Sequence, residues 1–585
     1  MRIDRLQITN FRNFRALDVR LGKHAVIVGE NRAGKSNLLH ALRLLLDPSL
    51  PDTARQLREE DFWDGLPRPL TPEDRITISI DFADFEGNEE QLASLAEHLI
   101  SSEPMVARLT YVFERAAGSE DPNDCDFSIY GGDRPENVVH SEIRRRLPLD
   151  LLPALRDAEG DLSNRRRSPL GALLDQAVAE TEAGELDDIA EQVTAATTAL
   201  TELPAIKELS DDVTARLVSM VGSGHAGDFQ LGVGPSDPHR LIRALRPLID
   251  EGRRGIGEAS LGSSSLLYLA LKSLEFELLV DEGRRDHTFL GIEEPEAHLH
   301  PHLQRLTFRH FLEHRGAGGN TTILLTTHSP HIVSVTPLRS LVVLRRTQDE
   351  GTEAVSTAHV ELADVDVADL ERYLDVTRGE IVFSRGVLLV EGAAEEFLVP
   401  KLAELNGFNL DELGITVCSV AGTNFLPYTK FLGATGLQIP HAVITDLDLK
   451  NGLSYGAGRV RTLLQSIGEE VDQAADSDQI RELGAAHGFF LNNATFEIDL
   501  FRSGRHISMS KTLSALTSVA VARQRAQQWR DDPKSLDEAR FLADITEIGK
   551  GRFAQRLASV ISTMKSKACP EYIKEAITYV AERAG

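Results

Sequence analysis

Apolar and polar residues alternate through "RIDRLQITNF" near the start of the chain, the period of a half-buried strand. "HAVIVG", ending at Gly29, is a short continuous apolar strand. "SNLLHALRLLL", from Ser36, spaces its leucines along one helical face. The opening segment thus reads as strand, turn, strand, glycine-rich loop, helix. "RITISIDF" and "MVARLTYVFE" predict further strands. From about Pro169 to Met220 the chain becomes rich in Ala, Leu and Glu at helical spacing. That stretch predicts an inserted helical hairpin, for which a dimerisation arm is a natural use. Strand and helix signals resume by about Gly232 and run to roughly Leu370. A second α/β unit begins near Gly379 with "EIVFSRGVLLVEG" and continues through "GITVCSVAG" and "HAVITDLDL". The tail from about Ser508 is mainly helical, and no internal repeat or low-complexity tract is present.

Length changes this picture only by requiring more than one core, since the chain has 585 residues. Hydrophobic content of 42% and charged content of 26% are those of a soluble globular protein. No apolar run has the length of a membrane span, and "MRIDRLQITNFRNFRAL" lacks the apolar core of a signal peptide. Cys125, Cys418 and Cys569 are few and widely spaced, which argues against a disulfide framework or zinc site. They fit a reducing compartment, so a cytoplasmic location is expected. The net charge of −27 weighs against coating nucleic acid by bulk attraction, though local basic patches still allow DNA chemistry. Arg144 to Arg146 and Arg165 to Arg167 are such patches, and each reads equally as a solvated helix face.

Two constellations carry chemistry. "GENRAGKS", Gly29 to Ser36, fits G-x-x-x-x-G-K-[ST], with a strand before it and a helix after it. Backbone N–H groups of such a loop, here spanning Gly29, Asn31 and Gly34, cradle phosphates at a helix N-terminus. Lys35 would reach the β- and γ-phosphates and Ser36 would ligate Mg²⁺. "HTFLGIEEPEAHLHP" predicts a buried strand ending in Glu293, placed by Mg²⁺, and Glu294, placed to polarise the attacking water. "TILLTTHSPHIV" repeats the design and delivers His328 toward the γ-phosphate.

This trio resembles the ATP-binding-cassette ATPases of the SMC and RecF type. The resemblance implies an ATP sandwich between two heads, one of them supplying a signature serine. "GEASLGSSSLLYLALKSLE" occupies the signature position but departs from LSGGQ, so Ser260, Gly262, Ser263 and Ser264 stand as candidates. Gln56 in "ARQLREEDFW" is the candidate for the family's glutamine loop.

The second constellation is acidic. In "RGVLLVEGAAEEFLVPKL" the strand Val387 to Val390 ends at Glu391, and a helix from about Ala393 would turn Glu395 to the same site. Glu396, one position round, is expected to be solvated. "HAVITDLDLK" ends another strand in Asp446 and Asp448, which share a face if the strand continues. Two strands each discharging a carboxylate pair predict a cluster that holds two divalent ions, Mg²⁺ or Mn²⁺, a third ion accompanying ATP. Such a pair can drive phosphodiester cleavage.

Strand-Glu-Gly followed by strand-Asp-x-Asp resembles the Toprim domain, and Glu395 resembles its nuclease branch. An ABC-type ATPase followed by Toprim in one chain resembles the OLD (overcoming lysogenisation defect) nucleases, to which the Gabija defence nuclease is also similar. The resemblance implies an α/β fold with an SMC/RecF-like ATPase, a helical dimerisation insert, and a Toprim domain with a helical C-terminal region. The boundaries expected are 1–168 and 226–375 for the ATPase, 169–225 for the insert and 376–585 for Toprim with its tail. It also implies a further ligand from "FLNNATFEIDLF", Glu497 in preference to Asp499, and Lys550 in "GKGRFAQRLAS" as a cation near the scissile phosphate. Lys550 reads equally as a solvated helix-start lysine, and Gly422 as either a close approach of backbone or a plain turn.

The function expected is a nucleotide-regulated, metal-dependent DNA endonuclease or nickase in phage defence or DNA processing. Expected partners are DNA, a second copy of the chain and a UvrD-like helicase. The alternative is a RecF-like ATP-dependent loader that cuts nothing, for which the Toprim acids would be superfluous. Topoisomerase strand transfer would need a nucleophilic tyrosine, and none of the 8 tyrosines lies in a recognisable winged-helix context.

Overall fold

The computed structural model describes residues 1–116, 124–154, 158–163, 168–181, 183–223, 229–231, 237, 241–242, 244–313, 320–347, 351–374, 378–450, 453–562 and 567–584. Arg165 to Arg167 lie outside the described residues, as do the residues at the expected 225/226 boundary and those at 375–377.

The first unit is built on a 12-stranded sheet. Its strands are β1 (Arg2–Phe11), β2 (Phe14–Arg20), β3 (Ala25–Gly29), β4 (Ile76–Ala83), β5 (Leu99–Ser102), β6 (Met105–Arg115), β7 (Cys125–Gly131) and β8 (Leu149–Leu152), joined later by β11 to β14. Between them in the chain, β9 (Leu248–Ile249) and β10 (Arg254–Gly255) form a separate short ribbon. The later strands are β11 (Thr288–Glu293), β12 (Thr321–Thr326), β13 (Leu341–Thr347) and β14 (Gly351–Ser356). At one end of the sheet β13, β3, β12, β11 and β8 run parallel, and β3 is buried throughout, as a continuous apolar run requires. The alternating β1 pairs antiparallel with β2 and β4 and presents Ile3, Leu6 and Ile8 to the core.

The second unit is a four-stranded parallel sheet of β15 (Gly386–Val390), β16 (Ile415–Ser419), β17 (His441–Thr445) and β20 (Phe489–Leu491), in the order β16-β15-β17-β20. Between β17 and β20, β18 (Leu449–Lys450) and β19 (Leu453–Ser454) form a two-stranded ribbon. Helices from His506 onward complete the C-terminal region and pack on one face of this sheet. The architecture is the α/β ATPase and Toprim pairing expected from the motifs.

The helical insert departs from a simple hairpin. It comprises three helices, Pro169–Glu180, Ala183–Thr201 and Pro204–Val221. The first buries Pro169 and Gly171 and packs on the helix Leu261–Asp281, so it belongs to the body of the ATPase unit. Only the last two form the hairpin, and they leave Leu200, Leu209, Val218 and Met220 exposed.

Each unit has an apolar core of its own, and a third core joins them. One apolar cluster runs from Val26, Val28, Leu325 and Val343 under the ATPase sheet, through Ile332, Val333, Ile381 and Val382, to Val387, Leu389 and Val443 of the second sheet.

Candidate functional site

The nucleotide loop follows β3. Gly34 takes φ +92, and a Cβ there would meet the Asn13 amide nitrogen at 2.0 Å, so both conformation and space require glycine. The helix Lys35–Leu46 follows immediately and aims its first N–H groups at the loop. Lys35 Nζ donates to the carbonyls of Gly29 and Glu30, each at 3.1 Å. Burial lowers the Lys35 pKa, and the carboxylates of Glu294 and Glu296 partly offset that. Ser36 and Asn31 lie exposed at the loop.

Parallel pairing of β11 with β12, and of β12 with β3, puts three loop-bearing ends side by side. Glu293 closes β11, and Glu294 turns out of the sheet at φ +41 with its N–H donating to the Thr326 carbonyl at 2.9 Å. His328 Nε2 stands 3.6 Å from Glu294 Oε1. Its pKa is lowered by burial and then by the nearby Lys35 charge, against the pull of Glu294. Glu296, which sequence reasoning passed over, accepts from the His328 N–H at 2.7 Å and the Thr327 hydroxyl at 2.9 Å. It fixes the turn that carries the histidine.

The other ATPase candidates are not drawn into this group. The Gln56 amide donates to the Cys125 carbonyl on β7, so its side chain is spent on the sheet edge. Ser260 caps the helix Leu261–Asp281 by accepting from the Ser263 N–H at 3.2 Å, and the two hydroxyls lie 2.9 Å apart. Both are exposed, whereas Gly262 and Ser264 are buried, and a Cβ on Gly262 would meet the His298 carbonyl at 2.6 Å. The basic patch at Arg144 to Arg146 is partly structural, because Arg146 Nε donates to buried Asp286 at 2.8 Å.

Parallel strands send their carboxyl ends to one edge, where open α/β sheets place their sites. At that edge Glu391 follows β15, Asp446 follows β17, and Glu497 lies in the helix Phe496–Leu500 after β20. The helix Ala393–Leu405 starts where expected and turns Glu395 inward, 7% exposed, while Glu396 is half-buried. The Gly422 N–H donates to the Glu391 carbonyl at 2.9 Å, so this glycine does border the site.

One expectation fails. The strand ends at Thr445 instead of continuing, and Asp448 sits at φ +47, a left-handed backbone that breaks the period of two. Arg459 instead ties the Asp448 carboxylate to the Asp446 backbone. Arg459, on the helix Tyr455–Ser466, donates to Asp448 Oδ2 through two nitrogens at 2.9 Å, to Glu391 Oε1 at 3.0 Å and to the Asp446 carbonyl at 2.7 Å.

A pattern follows when each carboxylate is traced. Glu391 Oε1 accepts from Arg459, the Thr445 hydroxyl at 2.6 Å and the Asp446 N–H at 2.8 Å. Asp446 Oδ1 accepts from the Asn492 amide and from the Phe496 N–H at 2.9 Å. Lys550 Nζ lies 2.9 Å from Glu497 Oε1. Glu497 Oε2, buried in the same place, has no hydrogen-bond partner among the described residues. One oxygen of Glu391 and one of Asp446 are thus held by several protein donors, while the buried Glu497 Oε2 has none among the described residues.

Charge is unbalanced here. Burial, followed by Glu391, Glu395, Glu497 and Asp448, pushes Asp446 up to about 8. Burial, followed by Glu497 and Glu391, pushes Glu395 up to about 7. Burial pulls on Lys550 too, but Glu497, Asp446 and Glu395 outweigh it and raise its pKa. Among the described residues, the cations paired with Glu391, Asp448 and Glu497 in this five-acid cluster are Arg459 and Lys550. Among the described residues no three His, Cys, Asp or Glu side chains already stand in a ligating arrangement, and Arg459 and Lys550 lie among the acids. Oxygen donors, a deficit of positive charge and an orphaned buried oxygen all fit hard divalent cations.

Comparison with known proteins finds an ATPase domain followed by a Toprim domain along the chain. The model of the AAA ATPase domain matches residues 1–96 and 147–333. The model of the overcoming lysogenization defect protein-like Toprim domain matches residues 382–448. The OLD nuclease of Thermus scotoductus is 26% identical over 471 residues, covering 76% of this chain and 82% of that protein. Endonuclease GajA of Bacillus cereus is 24% identical over 479 residues, covering 77% of this chain and 76% of that protein. The solved C-terminal region of the Burkholderia pseudomallei OLD protein is 40% identical, covers 35% of this chain and 100% of its own, and has a TM-score of 0.32. The fold and the two sites thus define an ABC-type ATPase joined to a Toprim unit. Within that class, the chain belongs to the OLD family.

Proposed function

We propose that the chain is a nucleotide-regulated, metal-dependent DNA endonuclease or nickase that cuts at the Glu391–Asp446–Glu497 cluster. The observation that carries this reading is the convergence of those acids at one sheet edge, with Lys550 beside them and the buried Glu497 Oε2 without a partner among the described residues. Glu391, Glu395, Asp446, Asp448 and Glu497 would hold two Mg²⁺ or Mn²⁺ ions. Ions so held supply a water activated for attack and a stabilised leaving oxygen. Lys550, half exposed and charged, is placed to meet the negative charge that builds on the scissile phosphate.

In the ATPase unit the Gly29–Ser36 loop holds the phosphates of ATP, with Ser36 and Glu293 on its Mg²⁺ side. Glu294 orients the hydrolytic water and His328 faces the γ-phosphate. Ser260 and Ser263, exposed at a helix start, serve the nucleotide of a second copy, which makes the working form at least a dimer. Units 1–168 and 226–375 form the ATPase, 169–225 the insert and 376–585 the nuclease. No helix among the described residues is long and apolar enough to cross a membrane. Relatives named as nucleases support DNA cleavage, and we place that cleavage in phage defence or DNA processing.

The test is cleavage of supercoiled plasmid with Mg²⁺ or Mn²⁺, titrated with ATP. Glu391→Ala and Asp446→Ala should abolish nicking while ATP turnover persists, and Lys35→Ala should alter its nucleotide response. Undiminished nicking in both acid variants would leave a loader that binds DNA without cutting.

A further inference from the structure

The Arg459 side chain is the most heavily engaged group at the sheet edge. Its Nε donates to the Thr445 hydroxyl at 3.0 Å, and its two terminal nitrogens reach Asp448, Glu391 and the Asp446 carbonyl. The Thr445 hydroxyl in turn donates a hydrogen bond to Glu391 Oε1, so hydroxyl and guanidinium grip the same carboxylate oxygen. A guanidinium presents a rigid planar fork, and a fork that spans two acids fixes their separation as well as their charge. Only 17% of the side chain is exposed, with Glu391 at 18%, so little water competes for these bonds.

We propose that Arg459 is the built-in counter-cation of the carboxylate cluster, a positioning residue that presets Glu391 and Asp448 and sets how tightly divalent metal is held. Its bonds go to one oxygen of each acid, Glu391 Oε1 and Asp448 Oδ2. The same positive charge opposes any divalent ion bound beside it, because like charges at a few ångströms repel by an amount that poor solvent screening preserves. Position and affinity therefore trade against one another. This deepens the nuclease reading, and its cleavage arm rests on that reading, whereas its metal-binding arm does not.

The experiment compares wild type, Arg459→Gln and Arg459→Lys by Mn²⁺ titration calorimetry without nucleotide or DNA, by thermal melts in EDTA, and by plasmid nicking at saturating Mn²⁺. Arg459→Gln is expected to bind Mn²⁺ at least about tenfold more tightly yet to nick at least about tenfold more slowly. In EDTA its melting temperature falls, and Mn²⁺ raises it by more than in wild type. Arg459→Lys keeps the charge without the fork, so affinity stays near wild type and the rate falls. A merely structural arginine would weaken binding and rate together. Unchanged or weaker Mn²⁺ binding in Arg459→Gln overturns the counter-cation, and an unchanged rate overturns the positioning role. ATP binding reports whether each variant is folded, and if Arg459→Gln is not, Arg459→Lys decides. Absence of nicking by wild type would defeat the nuclease reading alone, because the Mn²⁺ comparison would still be read.

Discussion

Replacing Asp446 by Asn removes the most perturbed acid of the cluster with almost no change in shape. The asparagine oxygen can still accept from the Asn492 amide and the Phe496 N–H, as Asp446 Oδ1 does. Burial and four neighbouring carboxylates push Asp446 from 3.8 up to about 8. The folded chain therefore binds this proton more tightly than the unfolded chain. Stability from this group is full below pH about 4, falls as pH climbs, and levels off above about 8. A displacement of roughly 4 units at ~1.36 kcal/mol each is on the order of 6 kcal/mol. For a cooperative transition of the whole 585-residue chain each kcal/mol shifts the melting temperature by roughly 0.8 °C, so the effect is on the order of 5 °C. The assay is thermal melting in EDTA at pH 5 and pH 9. Wild type should lose stability steeply across this interval and Asp446→Asn much less. The chain's net charge of −27 lowers stability with pH in both proteins, so the difference between them is the readout. Saturating Mn²⁺ should flatten the wild-type slope. Parallel curves in EDTA would refute the charge-deficient cluster.

Other outcomes can be checked independently. Lys550→Met should slow plasmid nicking at least about 100-fold while calorimetry shows Mn²⁺ still bound, since the amine is placed to act on developing charge. Gly34→Ala, at φ +92 and against Asn13, should cost roughly 1–2 kcal/mol and abolish binding of a fluorescent ATP analogue. His24 is held down to about 4 by burial and then by Lys23, and its Nδ1 accepts from the Ile323 N–H at 3.1 Å. Being neutral in the fold, it gives stability that is present above pH about 6.5 and lost as pH falls toward 4, on the order of 3 kcal/mol. His24→Gln, which keeps an acceptor, should flatten that acid limb in urea unfolding.

The sites became legible in the sequence wherever a strand ended in chemistry. Apolar runs before Gly29, Glu293, His328, Glu391 and Asp446 marked buried parallel strands, and parallel strands deliver their ends to one edge. What stayed hidden was tertiary. Arg459 sits near the start of an ordinary helix, 11 residues beyond Asp448, and no local pattern distinguishes it from a solvated arginine. Asn492 and Glu296 act by holding other residues, a role that leaves no periodic trace. The Asp446–Asp448 pair was found for a reason the backbone does not honour, since Asp448 leaves the strand. The turn-forming "DLKNG" that follows was the signal for this. The insert was legible as helical, but whether its first helix lay on the ATPase body depended on the partner face of Leu261–Asp281.

The apolar cluster shared by the two sheets bears on how the chain comes apart. Val387 and Leu389 are covered from the ATPase side through Ile381 and Val382, so neither sheet can lose its neighbour without wetting its own underside. The proposed boundary at residue 376 divides the sequence but not the packing. Melting should accordingly be collective, with the two sheets giving up their heat in one main calorimetric transition and the hairpin Ala183–Val221 free to fray ahead of it.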